Sequence, residues 1–596
     1  MPKKGVYMIK IDKLSYSFPQ KDLYNNISFT LEQGQHCAFI GTSGCGKSTL
    51  LDIIMDPERY MFDGKLEMDP NCRIGFVSQF LQLDIAKETT VFEYIGEEFI
   101  KLQNEITSIC TEMETSLNID ALLEEYQQAL EAFDGIGGDN FESNINKKLN
   151  LANLFKNKDL PVSELSGGEF KLIQVIKEML KSPDLMIMDE PDVFLDFKNL
   201  NSLKNLINSH KGIILIVTHN RYLLNHCFNK IIHLENKELQ EFDGRYVDYN
   251  FSLLQSKIEL QELAIVDDEE IERNEILIDK LRFITTYNSE ASSGKRLKSR
   301  VMIQERLEAR RIKTPFVYIK QPNMMFDIDT DTDTDTETDT DTKETIALRV
   351  NNYSVAFDDL LLENVNFEIK STDKVALIGL NGTGKTTLLR DIFKNSQASI
   401  EINEDVKVAY LSQVQGEMLN ETNTIFEEFF DVGFKTYSTI VSYVSDYGFD
   451  EEILKQKIGS LSGGERNMLQ LAKVCAQKAN LLLLDEPTSH LDTYSQIALE
   501  KAIELYKGAI LMISHDYYTI ANCMDYVLII ENKKIRKMSI RKFRKLIYNS
   551  HFDKDYLEIE QKKKLIELKI ELALNNINFK RAKVLSEELE ELIKLI

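Results

Sequence analysis

A chain of 596 residues with 43% hydrophobic and 28% charged residues has room for several domains, each burying its own core, and is ordinary in composition for a soluble globular protein. No stretch approaches eighteen uninterrupted apolar residues, which argues against a membrane span, and the opening MPKKGVYMIKIDKL lacks the apolar core and cleavage site of a secretory signal. Seven scattered cysteines form no CxxC pair or ligand cluster, so a reduced, cytoplasmic setting is expected; the net charge of −25 would disfavour a polyanionic partner only if it were evenly spread.

In chain order, short runs alternating apolar and polar residues (SYSF, NISFTLE, HCAFI) predict β-strands before position 40. The last leads into GTSGCGKST at 41–49 and the helix-like TLLDIIM, the strand, glycine-rich turn and helix order of a phosphate-binding loop. There the backbone of Gly41, Thr42, Ser43, Gly44, Cys45 and Gly46 curls so that successive N–H groups face phosphate oxygens. Lys47 adds a point charge, and the hydroxyl of Ser48, next to Thr49, can ligate Mg²⁺. A lone match is a chance glycine turn about one time in ten. This one has a twin, GLNGTGKTT (Gly379, Leu380, Asn381, Gly382, Thr383, Gly384, Lys385, Thr386, Thr387), again after an apolar strand.

Gln79 and Gln413 each follow a strand-like run; such a glutamine is ordinarily a surface residue, and only its matching place in both copies marks it. The copies lie 338 residues apart at the phosphate loops but 296 apart from LSGGE (165–169 and 461–465) onward, so the first carries about 38 extra residues between Gln79 and Leu165. Within them Ile95, Phe99, Leu102, Ile106, Ile109 and Met113, then Leu122, Leu123, Tyr126, Leu130 and Phe133, read as a helical pair projecting from the domain over about 94–135, although domain-packing helices would carry the same period.

Apolar runs before Asp189 and Asp485 predict buried parallel strands, and an acid at the carboxyl end of such a strand lies where open α/β sheets bind ligands. Asp189 and Asp485 are thus Mg²⁺ candidates, Glu190 and Glu486 candidates to polarise the attacking water, and His219 and His515, ending the next strands, candidates to contact a γ-phosphate. Residues 251–320 read as two long helices around a short loop, with nine Lys/Arg in 291–320, among them Lys295, Arg296, Lys298 and Arg300, a basic face suited to a phosphate backbone. The tract DIDTDTDTDTETDTDTK at 327–343 is expected to be a disordered acidic tether. Eight basic residues fall in 533–545, and a helical tail closes the chain, either contacting a partner or folding back on the second domain.

Phosphate loop, glutamine, SGGE, strand-DE and histidine, twice in one chain, resemble the nucleotide-binding domains of the ATP-binding cassette superfamily. The resemblance implies an α/β fold of two tandem P-loop domains joined by a long helical hairpin, meeting head to tail. ATP would then lie between one phosphate loop and the other copy's signature, Ser462, Gly463, Gly464 and Glu465 for the first site and Ser166, Gly167, Gly168 and Glu169 for the second. It also implies adenine stacking on Phe18 and Phe357, and Mg²⁺ held by Ser48, Gln79 and Asp189 or by Thr386, Gln413 and Asp485. Closest is the ABC-F group, ATPases that act on ribosomes, because the domains are fused, the first bears an arm, and GKRLKSRVMIQERLE at 294–308 looks like that group's linker. This implies ribosomal RNA and the peptidyl-site tRNA, approached from the exit site, as partners, with a role in translation or antibiotic resistance, by a monomer that closes on itself. The expected boundaries are 1–250, 251–322 (hairpin), 323–345 (tether), 346–548 and 549–596 (tail). The first copy departs from the family pattern with Asp192, Val193 and Phe194 where the second has Thr488, Ser489 and His490, so the two sites are expected to be unequal though both competent. The alternative, an ATPase subunit of a membrane transporter, is disfavoured by the basic hairpin; a ribosome-splitting iron–sulfur member is disfavoured by the lack of an N-terminal cysteine cluster.

Overall fold

A computed structural model describes residues 7–18, 21–70, 72–79, 88–113, 119–193, 195–287, 296–303, 322–328, 345–357, 360–413, 418–451, 453–551 and 556–595. The chain divides into two compact units, 1–243 with 321–547, and 244–320 with 548–596.

The first unit holds both copies. Copy one contributes β1 (Tyr7–Phe18), β2 (Lys21–Glu32), β3 (His36–Ile40), β4 (Asp63–Met68), β5 (Ile74–Val77), β6 (Leu185–Asp189), β7 (Ile213–Val217), β8 (Lys230–Glu235) and β9 (Glu238–Asp243). They form an antiparallel sheet, β2-β1-β4, and a six-stranded sheet, β5-β6-β7-β3-β8-β9, parallel except for β9. Copy two repeats this with β10 (Ile346–Ala356), β11 (Leu360–Lys370), β12 (Lys374–Ile378), β13 (Ile400–Ile402), β14 (Val408–Leu411), β15 (Leu481–Asp485), β16 (Ala509–Ile513), β17 (Tyr526–Glu531) and β18 (Lys534–Ser539), in the order β11-β10-β13 and β14-β15-β16-β12-β17-β18. Every residue of β6, β7, β15 and β16 is buried, as expected where helices cover both faces of a parallel sheet and the strand must be apolar throughout. Phe39 and Asp189 both pair with Val217, which sets the ends of β3, β6 and β7 side by side. The loops leaving those ends carry the candidate residues.

The insertion folds as helices Val91–Met113 and Ile119–Gly135. Ile95, Phe99 and Ile109 are buried as their spacing predicts. In the second helix the inward face is Leu122, Tyr126, Ala129 and Phe133, while Leu123 and Leu130 point outward, 48% and 37% exposed. The 4-3-4 spacing of that face repeats the spacing on the first helix, with the small Ala129 buried in the seam; reading by residue size alone picks the wrong leucines.

In the second unit, helix Tyr246–Tyr287 runs 42 residues, beginning earlier than the expected 251, and a second helical stretch covers 296–303. Asn274 donates to the Arg300 carbonyl at 3.1 Å and accepts from its guanidinium at 3.3 Å. The tail forms helices Tyr556–Asn575 and Phe579–Ile593, whose Ile566, Ile570, Ala582, Leu589 and Ile593 share a core with Val247 and Ile258. It packs on the start of the interdomain helix, which neither proposed destination anticipated. The expected tether at 323–345 also starts too early. Met324 and Phe326 are buried, Asn323 N–H donates to the Asp446 carbonyl at 2.8 Å, and Phe326 meets Tyr506 edge-on at 5.8 Å. The apolar NMMF segment docks on the second domain; 329–344, holding most of the acidic repeat, lies outside the described residues.

Candidate functional site

Both phosphate loops run from a buried strand into a helix, Lys47–Met55 and Lys385–Lys394. Gly46 sits at φ 105, and a Cβ there would come 2.9 Å from the Tyr24 hydroxyl, so only glycine fits. Lys47 Nζ donates to the carbonyls of Gly41 and Thr42, both at 3.0 Å, and Lys385 Nζ to those of Gly379 and Leu380 at 2.8 and 2.9 Å. Each ammonium is thereby fixed over its own loop. Phe18 and Phe357 are 45% and 71% exposed.

The signatures begin helices Gly167–Leu180 and Gly463–Ala476, each closed by a capping box. Ser166 Oγ and N–H donate to Glu169 Oε2 at 2.8 and 3.0 Å, and Ser462 does the same to Glu465 at 2.7 and 2.8 Å. The glutamates thus serve the cap, leaving glycine N–H groups at a helix N-terminus as the anion-facing surface.

Each phosphate loop faces the other copy's signature. Ser43 N–H donates to Asp492 Oδ2 at 3.3 Å, and a Cβ on Gly464 would stand 2.5 Å from Ser43 Oγ, so glycine permits this approach. Around the second loop a cavity of about 570 Å³ is lined by Gly167 and Gly168 from copy one and by Asn381, Gly382, Gly384, Lys385, Thr386, Thr387, Gln413, Asp485, Glu486 and His515 from copy two.

The two glutamates differ. Both adopt a left-handed backbone rare outside glycine and asparagine, at φ 45 for Glu190 and 51 for Glu486, and each N–H donates to the neighbouring strand at 2.9 Å. Glu190 Oε2 accepts from Gln79 Nε2 at 2.8 Å and lies 3.1 Å from His490 Nδ1 of the other copy. Burial raises its pKa, but the hydrogen bond from His490 and the charges of His219, His490 and Lys47 hold it down to about 2. Glu486 accepts from the His515 backbone N–H at 3.2 Å, and burial pushes it up to about 7. His219 and His515 are pressed by burial to about 4, so both are neutral at pH 7. The Gln79 amide nitrogen points to Glu190, which leaves only its oxygen for the cation the sequence reading assigned it, and Gln413 lines the cavity.

Asp189 and Asp485 are pushed up to about 6 and 7, first by burial, and the hydroxyls of Ser48 and Thr386 oppose the rise. Beyond the Thr386 hydroxyl beside it, the buried Asp485 carboxylate is left unsatisfied, a costly arrangement that a cation would relieve. Hydroxyl, carboxylate and amide oxygens make a hard donor set that suits Mg²⁺.

Three residues escaped the sequence reading. His490 had a signal, since SH in DEPTSHLD answers VF in the first copy; its counterpart Phe194 lies outside the described residues. Arg221, where the second copy has Tyr517, donates to Glu500 and Asp516 across the domain interface at 2.5 and 2.8 Å. Lys171, opposite Asn467 in the repeat, is buried and donates to the Ser78 carbonyl and, at 3.1 Å, to that of Gln79. Lys171→Met is expected to strand both carbonyls at a cost of about 2 kcal/mol. ATP turnover in an E486Q background, where only the first site works, should fall about tenfold while Lys171→Arg stays near the parent. Of the basic hairpin residues, Arg296 and Lys298 are exposed, Arg300 is tied to Asn274, and Lys295 lies outside the described residues.

Two P-loop domains, each completing the other's nucleotide site, define an ATPase of the cassette type. The family model described as "ABC transporter" matches residues 24–193 and 362–489. The putative ATP-binding protein YdiF of Bacillus subtilis is 30% identical over 540 residues, covering 89% of this chain and 81% of that protein. The energy-dependent translational throttle protein EttA of Escherichia coli K12 is 27% identical over 86% of this chain and 89% of its own length; ABC transporter F family member 2 of Arabidopsis thaliana is 27% identical over 87% and 76%. Among solved structures, the RNase-L inhibitor shares the fold at TM-score 0.50 and 15% identity, over 90% of this chain and 93% of that one. The chain belongs to the ATP-binding cassette family, in its ABC-F group, and is an ATP-binding ATPase. No helix among its described residues is long and apolar enough to cross a membrane.

Proposed function

We propose that this ATPase works on the ribosome from the cytoplasm, as a monomer closed on itself. It would bind at the tRNA exit site, with the hairpin against ribosomal RNA and the peptidyl-site tRNA, to assist translation or protect against an antibiotic. The observation that carries this reading is that loops and signatures of the two copies meet within one chain, Ser43 on Asp492 and Gly167 in the cavity of Lys385, which favours closure of the chain on itself. The resemblance to EttA along nearly its whole length supports translation as the setting.

At each site the lysine and loop N–H groups hold the phosphates, and the opposing signature N–H groups complete the cradle. Ser48 with Asp189, and Thr386 with Asp485 and Gln413, would hold Mg²⁺, which when bound supplies charge neutralisation at the phosphates. Glu190 or Glu486 accepts a proton from water as its oxygen forms a bond to the γ-phosphorus and the bond to the β–γ bridging oxygen breaks, leaving ADP and phosphate. Neutral His219 or His515 donates to the γ-phosphate, and loss of that phosphate loosens the clamp. Gln replacing both Glu190 and Glu486 is expected to preserve ATP binding and trap the protein on ribosomes, so that most of it pellets through a sucrose cushion while the wild type is shed. Recovery of both forms in ribosome-free fractions, or with membranes as a transporter subunit would be, ends this reading.

A further inference from the structure

We infer that the outer edge of the second domain, β18 with the start of the helix Ile540–His551, is a docking surface for the phosphate backbone of structured RNA, separate from the interdomain hairpin. The inference rests on the ribosomal reading above and adds to it a place on the second domain.

The internal repeat supplies the control. β8–β9 and β17–β18 are the same hairpin, offset by 296 residues, with the turns Asn236–Lys237 and Asn532–Lys533 in matching left-handed conformations, φ 49 and 69 against 51 and 64. The edge strands share one exposure pattern. Leu239 and Phe242 turn inward in the first copy, Ile535 and Met538 in the second. The outward residues change sign: Glu238, Gln240, Glu241 and Asp243 stand where Lys534, Arg536, Lys537 and Ser539 stand in the second copy. The same strand folds with either charge at Lys534 and Arg536; at Lys537 the exchange is matched within the hairpin, since Glu241 pairs with Lys230 at 2.6 Å where Lys537 lies over Tyr526.

The following helix continues the patch. Phe543 and Ile547 are buried at 2% and 8%, fixing one face to the domain, while Arg541, Lys542 and Lys545 are exposed. Arg544 is spent on the Ala521 carbonyl. No acidic residue occurs from Asn532 to Phe552 in a chain of net charge −25. Arg536 lies 3.6 Å from Glu531, an exposed pair that solvent screens. Lys537 lies over the Tyr526 ring at 3.4 Å, which holds its ammonium in place without neutralising it. A strand and a helix thus present cations along one edge with no pocket or pairing geometry, which suits a repeating phosphate backbone better than a single small anion. A basic amphipathic helix also suits an anionic membrane, but here Phe543 and Ile547 are buried against the domain, leaving Leu546 as the exposed apolar side chain between the cations, too little to anchor a helix in lipid.

The test uses the full chain and two variants, K534E/R536Q/K537E, which copies the first domain's own strand, and R541Q/K542Q/K545Q. Each is titrated against an RNA duplex of about 20 base pairs between about 50 and 200 mM KCl. Each variant is expected to bind at least about tenfold more weakly, with the log–log salt slope lowered by about 2, and with ATP turnover and melting temperature at wild-type values. Variants that bind the duplex as the wild type does overturn the inference, as does a wild type that fails to bind it. So does a patch whose loss abolishes binding to phosphatidylserine vesicles rather than to RNA. Ribosome pelleting run in parallel separates the two readings. A wild type that pellets while the patch variants keep full RNA affinity refutes the patch alone. A patch that carries RNA binding in a protein that never pellets with ribosomes refutes the ribosomal reading alone.

Discussion

Glu486→Gln is expected to remove most of the ATP turnover, a fall in kcat of about two to three orders of magnitude, whereas Glu190→Gln should cost only a fewfold. Removing a proton from water needs a carboxylate with basicity to spend. Glu486 has it: burial raises it to about 7, and its Oε1 has no hydrogen-bond partner. Glu190 does not, since Gln79 at 2.8 Å and His490 at 3.1 Å occupy Oε2 and its affinity for a proton is that of an acid of pKa about 2. The pH profiles follow. A base works ionised, so a protein relying on Glu486, the E190Q form, should lose rate as pH falls through about 7 and that carboxylate protonates. The E486Q form, relying on Glu190, should keep its slower rate unchanged down to about pH 6, where Asp189 rather than Glu190 begins to take up a proton. Phosphate release by each variant from pH 5 to 9 reads both statements. Equal losses with superimposable profiles would show the sites to be equivalent.

Arg221→Ala is expected to be the most destabilising single change at the domain interface, about 3–5 kcal/mol. The guanidinium is 13% exposed, Glu500 7% and Asp516 15%, so removing the arginine leaves two carboxylates facing each other with little water. Burial works against its charge, but Asp516 and Glu500 outweigh that and raise its pKa, so it stays ionised throughout the accessible range. Lysine at this position should recover only part of the loss, having no planar fork to span two acids and no guanidinium to lie over Tyr518, 5.0 Å away. Thermal unfolding of the full chain gives the magnitude, and Glu500→Gln added to Arg221→Ala should restore about 1 kcal/mol or more by removing one orphaned charge. A melting temperature unmoved by Arg221→Ala would mean the three groups are solvated.

Much of this was legible in the sequence because duplication exposes it. Buried strands such as LMIM and IILIV can hardly be anything else, and the loops leaving them fall where the parallel order of β6, β7 and β3 puts them. What stayed hidden depended on partners distant in sequence. His490 reaches Glu190 from 300 residues away, and nothing local to SHLD says so. Arg221 reads as an ordinary helix-start arginine until Glu500 stands opposite it. Ala129 looks too small to matter beside Leu123 and Leu130, yet it is the residue in the arm's seam.

Lys171 carries one further consequence. Its helix starts with Gly167 and Gly168 in the cavity of Lys385, and one turn later the same helix grips the backbone of Gln79, which touches Glu190 of the opposite site. In the second copy Asn467 holds instead the carbonyls of Pro487 and Ser489, leaving Gln413 without that tether. A nucleotide beside Lys385 and the Gln79–Glu190 pair of the opposite site therefore share one rigid helix, and whatever coupling it carries runs equally in both directions.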